Sequence, residues 1–249
     1  TFLSGYARHA HPYDFYSIRY VFAGAEKLQE NTRHIWAEKF GIRIFEGYGT
    51  TETSPVLAAN TPMEHAAGSV GRFLPAVEYH LEPVPGIDEG GRLYVRGPNI
   101  MLGYLLHDNP GKLVPPHSGI GAGWYDTGDI VSLDEDGFVH ICGRAKRFAK
   151  VGGEMISLTA VEDLAVRTWP NRAHAVVSVP DAQKGEALIL VTENQNAERS
   201  EILECARQEG LAEINVPKKI IFTKAMPLLG SGKTDYQGVQ ALVKQEESE

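Results

Sequence analysis

Four short segments of this chain carry residue types that suit a nucleotide and its phosphates. Residues 48–55 (YGTTETSP) place an aromatic ring, hydroxyls and the Glu52 carboxylate within one turn, and residues 123–129 (GWYDTGD) end on Asp129 behind a glycine. Residues 143–146 (GRAK) supply a guanidinium fork, and residues 230–233 (GSGK) supply Lys233 behind a glycine pair. A hard cation such as Mg2+ takes one or two carboxylates and completes its shell with phosphate oxygens. The vicinal hydroxyls of a ribose suit an ionised acceptor and a forked donor. Together these are the parts needed to activate a carboxylic acid with ATP. Attack of a carboxylate on the α-phosphorus brings two anions together, so cations must offset the repulsion as charge develops, and hydrogen bonds must hold the nucleotide in line. A Walker A reading of GSGKT fails, because that pattern needs a glycine where Pro227 stands.

The elements that must position these groups follow from periodicity. Residues 26–40 set Leu28, Thr32, Ile35, Trp36 and Phe40 on one helical side, with Gly41 where a left-handed residue closes a helix. Residues 42–45 alternate as a strand that delivers residues 46–52 to its carboxyl end, where open α/β sheets collect ligands. From about residue 68 to 142 the chain reads as short β segments, such as 92–96 and 138–141, broken by Gly and Pro turns, which predicts a small barrel-like or folded sheet. Residues 108–123 read as a loop. After Arg144 an αβ pattern restarts: a capping box at residues 159–162 opens a helix to about Thr168, strands follow at 175–179 and 187–192, a helix at 198–209 and a strand at 219–223. The fold class is therefore α/β, divided at 1–67, 68–143 and 144–249.

With 43% apolar residues in 249, the chain can bury a substantial core. Its net charge of -8 disfavours a nucleic-acid partner. The charge is unevenly spread: residues 1–143 carry 10 Lys/Arg against 17 Asp/Glu, and the remainder 14 against 15. Basic clusters at Arg144, Lys146, Arg147 and Lys150, and at Lys218, Lys219 and Lys224, read either as a solvated face or as a dock for an acidic carrier protein. Cys142 and Cys205 lack metal-ligand spacing, His9 and His11 lack a third ligand, and no apolar run approaches a membrane span. A reducing, cytoplasmic setting fits this composition.

The four segments, in this order, resemble the adenylate-forming acyl-CoA synthetase and luciferase superfamily of AMP-binding enzymes. Within it, residues 143–158 (GRAKRFAKVGGEMISL) and 227–236 (PLLGSGKTDY) resemble the synthetase portion of the bacterial bifunctional 2-acylglycerophosphoethanolamine acyltransferase/acyl-acyl carrier protein synthetase. The resemblance implies the C-terminal part of a large nucleotide-binding domain with its β-rich subdomain, then a small mobile α+β domain. It implies that Glu52 holds Mg2+, Thr51 meets the α-phosphate, and Tyr48 lies against adenine while Gly47 and Gly49 let the backbone approach. It assigns the ribose hydroxyls to Asp129 and Arg144, and the bridge between substrate carboxylate and phosphate to Lys233. Lys146 matches the hinge, although Arg147 stands where many members carry an acid. Val151, Gly152 and Gly153 match the turn lining a pantetheine tunnel. The implied cofactors are ATP/AMP, Mg2+ and the acceptor's phosphopantetheine, and the implied partners are a fatty acid and acyl carrier protein or coenzyme A. Relatives carry an ATP loop ahead of residues 17–25, so this chain is expected to be a piece of a longer enzyme, nearly inert alone and held at the cytoplasmic face of the bacterial inner membrane through other segments.

Overall fold

A computed structural model describes residues 2–87, 89–230 and 232–246. The chain forms two compact units, Thr1–Val84 with Glu89–Ile141, and Pro85–Asp88 with Cys142–Glu249.

The first unit opens with helix α1 (Phe2–His9), strand β1 (Val21–Ala23), helix α2 (Glu30–Phe40) and strands β2 (Ile44–Tyr48), β3 (Ala58–Ala59) and β4 (Arg72–Phe73). The strands form one sheet in the order β1-β2-β3-β4, with β1 and β2 parallel and the other pairs antiparallel. Trp36, 2% exposed, packs α2 against Ala7, Ile42 and Ile44, and its indole N–H donates to Leu3 O at 2.9 Å. Gly41 closes α2 at φ 66, as expected of a glycine there. The helix starts four residues later than its apolar spacing predicts, because Ala25 is left-handed at φ 71 and Gln29 is still extended. The strand also runs further than expected, through Tyr48, so Glu46 and Gly47 sit within it and the chain leaves its carboxyl end at Gly49.

The second sheet of this unit contains β5 (Glu78–Glu82), β6 (Gly91–Arg96), β11 (Tyr125–Leu133) and β12 (Val139–Arg144), in the order β12-β11-β6-β5. Leu57 and Ala58 share one core with Leu93, Val95, Val131 and Val139, so residues on both sides of position 68 are packed together. The stretch expected to be a loop, 108–123, instead carries two-residue strands. β8 (Leu113–Val114) pairs with β7 (Tyr104–Leu105), and β9 (His117–Ser118) with β10 (Gly121–Ala122). Such short pairings leave little alternation to read in the sequence.

The second unit is a five-stranded sheet of β13 (Phe148–Val151), β14 (Glu154–Ser157), β15 (His174–Asp181), β16 (Gly185–Thr192) and β17 (Lys219–Phe222). Helices α3 (Leu158–Thr168) and α4 (Arg199–Gln208) cover one face through Val161, Leu164, Ile202 and Ala206, against Val176, Leu188 and Leu190. Helix α5 (Tyr236–Glu246) covers the other through Val239 and Val243, against Ala175, Val177, Ile189 and Val191. The two-residue period of β15 and β16 divides their side chains between these cores. Helix α5 was not expected from the sequence, since its apolar stripe is short and interrupted by Gly238. No described helix is long and apolar enough to cross a membrane.

The capping box read at residues 159–162 is replaced by a cap at Ser157, whose Oγ accepts from Ala160 N at 3.3 Å. Glu162 turns instead toward β15 and takes the Val176 N–H at 2.7 Å. Ser157→Ala is therefore expected to lower stability by about 1 kcal/mol and Thr159→Ala by only a few tenths. Urea unfolding of the two variants checks this, and equal losses would reject the reassigned cap.

Candidate active site

The first unit gathers Tyr48, Thr51, Glu52 and Asp129. Strand β2 ends at Tyr48, and the chain reverses through a 3-10 turn, Thr51–Thr53, closed by Ser54 at φ 56. Thr53, fully buried, holds the turn from inside: its Oγ1 accepts from Thr50 N at 3.0 Å and lies 3.0 Å from the carbonyls of Thr50 and Pro55. A Cβ on Gly49 would stand 1.7 Å from Pro55 O. The glycine expected to admit a ligand is thus required by the chain's own return. Gly47 pairs with Ala59 inside the sheet, and a Cβ there would meet Ala58 O at 3.3 Å.

Asp129 is placed by a bulge. The register of β11 on β6 shifts between Asp126 and Ile130, and Gly128 takes φ 70, a conformation glycine adopts without strain. Thr127 Oγ1 donates to Leu93 O at 2.9 Å and accepts from Asp129 N at 3.1 Å. The Asp129 carboxylate, 4% exposed, accepts the Tyr48 phenol at 2.6 Å. A buried carboxylate requires such a donor. The Tyr48 hydroxyl thus orients the Asp129 carboxyl group. Asp126 forms a bidentate pair with Arg92, at 3.0 and 2.5 Å, and also accepts from Gly128 N at 2.9 Å. Asp134 caps a turn, accepting from Asp136 N and Phe138 N.

Two residues that sequence reasoning missed support the Glu52 turn. Asn99 donates to Thr53 O at 3.0 Å and Val56 O at 2.8 Å, and the Tyr104 hydroxyl donates to Glu52 Oε1 at 3.2 Å. Their partners lie 43 to 52 positions away, so no local pattern marks them. The Glu52 carboxyl lies below the ordinary carboxylate range, chiefly because its own backbone N–H donates to it, helped by the Thr50, Tyr104 and Tyr125 hydroxyls. Burial, with Tyr125 and Glu52 nearby, pushes Tyr104 up to about 12, so it stays a donor. One ionised carboxylate of this kind fits Mg2+, which is held through few protein ligands plus substrate phosphates. No group of three or more metal-ligating side chains occurs among the described residues.

The second unit carries the remaining expected residues. Arg144 and Lys146 are exposed at the 3-10 turn Ala145–Arg147. Val151–Glu154 is the tight turn of the β13–β14 hairpin, with Gly152 at φ 60 and Gly153 at φ 97, as a two-residue primed turn requires. The Val151 side chain is 3% exposed in the core, and Val151 also lines a cavity of about 430 Å3 with Lys184, Arg199, Ile214 and Lys218. Lys233 is exposed beside Gly232, while Ser231 of the same motif lies outside the described residues. The two basic clusters are partly consumed internally: Arg147 pairs with Glu162 at 2.6 Å and Lys218 with Asp181 at 2.6 Å.

Because the folded pKa of Glu52 is depressed, its carboxylate adds stability above the ordinary carboxylate range, and this is lost as pH falls through the folded pKa. Tyr104→Phe is expected to move that pKa upward and shrink the contribution. A carboxyl NMR titration checks the direction, and an unmoved pKa would remove Tyr104 from the turn's electrostatics.

A family model for AMP-binding enzymes matches residues 1–105, and one for the AMP-binding enzyme C-terminal domain matches residues 160–233. The chain is 31% identical to a long-chain-fatty-acid–CoA ligase of Yersinia pestis over 88% of its own length and 39% of the relative's. It is 34% identical to a mitochondrial medium-chain acyl-CoA ligase of Mus musculus over 89% of its length and 37% of the relative's. It thus spans about two fifths of the curated relatives it matches. ATP-bound MatB from Rhodopseudomonas palustris superposes with a TM-score of 0.74 at 26% identity, covering 98% of this chain and 52% of that one. Two family models in the expected order, on a fold shared with adenylate-forming enzymes, establish that the chain belongs to the AMP-binding enzyme superfamily of acyl-CoA ligase-like proteins.

Proposed function

We propose that the protein carrying this chain activates a fatty acid with ATP as an acyl-adenylate, releases pyrophosphate, and passes the acyl group to a phosphopantetheine thiol. The observation that carries this reading is the joint placement of Glu52 and the Tyr48–Asp129 pair around one strand end. Glu52 would hold Mg2+, which supplies charge neutralisation at the phosphates, and Thr51 would donate to the α-phosphate. Asp129, fixed by Tyr48, would accept from the ribose hydroxyls, with Arg144 as their donor. Lys233 would offset the repulsion between the two anions during adenylation. Lys146 would act as the pivot that exchanges adenylation for thioester formation, and the turn at Val151, Gly152 and Gly153 would lead the thiol arm.

For the acceptor we favour acyl carrier protein, within an enzyme that also reacylates lysophospholipid at the cytoplasmic face of a bacterial inner membrane. Support comes from the resemblance of residues 143–158 and 227–236, and from Lys146, Lys150, Lys219 and Lys224, which remain exposed for an acidic carrier. A fatty acyl-CoA ligase is the second reading, favoured by the names of the curated relatives.

Supplying the full-length protein with ATP, Mg2+, a labelled long-chain fatty acid and equal amounts of coenzyme A and phosphopantetheinylated acyl carrier protein separates the two. Label on the carrier protein is expected. Label on coenzyme A would establish the second reading, and no label on either would leave a nucleotide-binding module that recruits a partner without catalysis. In the same protein, Lys233→Ala should slow adenylation by about 10²- to 10³-fold, the cost of losing one donor at a developing charge, while sparing transfer from supplied acyl-adenylate. Equal damage to both steps would remove Lys233 from this role.

A further inference from the structure

The loop carrying Lys233 is closed on itself. Asp235 N donates to Pro227 O at 2.9 Å, Leu229 N to Lys233 O at 2.8 Å, and Gly232 N to Leu229 O at 2.8 Å. Leu228 and Leu229 are 60% and 50% exposed. Both ends of the hairpin are held by described contacts. On the incoming side Met226 is buried and its N–H donates to Glu193 Oε1 at 2.7 Å. On the outgoing side the chain passes directly into Tyr236, the first residue of α5.

Tyr236 belongs to a cluster to which the proposed reaction assigns no role. Its hydroxyl lies 3.2 Å from Glu162 Oε2, and its ring lies under the Arg147 guanidinium, 3.7 Å from carbon to ring centroid. Arg147 donates to Glu162 Oε1 at 2.6 Å and to Val176 O at 2.8 Å, while Val176 N donates to the same Glu162 oxygen at 2.7 Å. The Arg147 and Glu162 side chains are 14% and 13% exposed, so removing either would leave a largely buried charge without its partner. Through this cluster Arg147, one residue after Lys146, is tied to α3, to β15 and to the residue on which the Lys233 loop stands. Guanidinium suits the place because it donates to two acceptors in one plane while stacking on a ring, which an ammonium cannot do.

We infer that Arg147 and Tyr236, joined through Glu162, are positioning residues that hold the Lys233 loop in register with the segment at 145–147, so that Lys233 reaches the reacting anions in one fixed geometry. The inference rests on the reading of Lys233 as the adenylation cation. It also gives a physical reason for a cation at position 147, where the family resemblance leads one to expect an acid.

The test uses the full-length protein with Arg147→Ala and, separately, Tyr236→Leu, which removes ring and hydroxyl but keeps apolar cover and stands in should the first variant not fold. Fatty-acid-dependent ATP–pyrophosphate exchange should lose on the order of 10²-fold in kcat, the scale of a misplaced catalytic group, with the KM for ATP moving far less. Transfer from supplied acyl-adenylate should stay within about threefold of the unaltered protein. Amide exchange at Leu229 and Asp235 should quicken by about tenfold while the amides of β15 and β16 hold their rates. Parallel loss in both half-reactions, with exchange faster throughout the unit, would reduce the cluster to a structural role and overturn the inference, as would variants that leave both half-reactions unchanged. Unaltered protein that supports no pyrophosphate exchange would overturn the proposed function and this inference together. Normal exchange in that protein with unbiased variants would overturn the inference alone.

Discussion

The first unit depends on satisfying one carboxyl group buried inside a packed protein. Asp129 is 4% exposed, and a polar group at that depth without a hydrogen-bond partner would be costly. The Tyr48 phenol at 2.6 Å meets that demand, and in doing so it ties the end of β2 to the bulge of β11. The bulge exists because Thr127 uses its hydroxyl to replace a ladder bond with Leu93, and Gly128 takes the positive φ that lets the strand resume its register. Strand end and bulge are thus joined by a hydrogen bond between residues 81 positions apart.

The same logic organises the second unit in a different chemical form. Glu162 sits on the inward side of α3 and is satisfied by an arginine, a backbone amide and a phenol that come from three different elements. Burial pushes its carboxyl up, while the pull of Arg147 opposes that shift, which is the balance expected of a buried pair that persists only with good geometry. The hydrophobic cores on the two faces of the sheet need no such specificity, since alternating residues of β15 and β16 fill them by size and apolarity. Polar clusters therefore fix the relative placement of loops that the cores alone would leave free to shift.

Glycines in this protein serve the chain as much as any ligand. Gly49 is needed because the backbone returns against Pro55, and Gly152 and Gly153 because a tight hairpin turn takes positive φ. Both positions fall within motifs associated with nucleotide or thioester chemistry. A motif glycine next to a site can thus be set by the fold first, with room for a ligand following from the shape of the turn.

What the sequence by itself determined was whatever is carried by neighbours along the chain. Helix α2 with its closing glycine, the β2 strand leading to Glu52, the strands β6, β15 and β16 and the αβ restart near residue 144 were all legible, because periodicity and caps are local signals. The motif residues themselves were legible by type and spacing. Tertiary structure decided the rest: that Tyr48 orients Asp129, that Asp126 pairs with Arg92, that Ser157 rather than Thr159 caps α3, and that Asn99 and Tyr104 hold the Glu52 turn. Each of these except the cap joins residues tens of positions apart, so its strength depends on where the backbone brings them. The cap lies two positions from the one expected, and Glu162 faces Arg147 and Val176 rather than the start of its own helix.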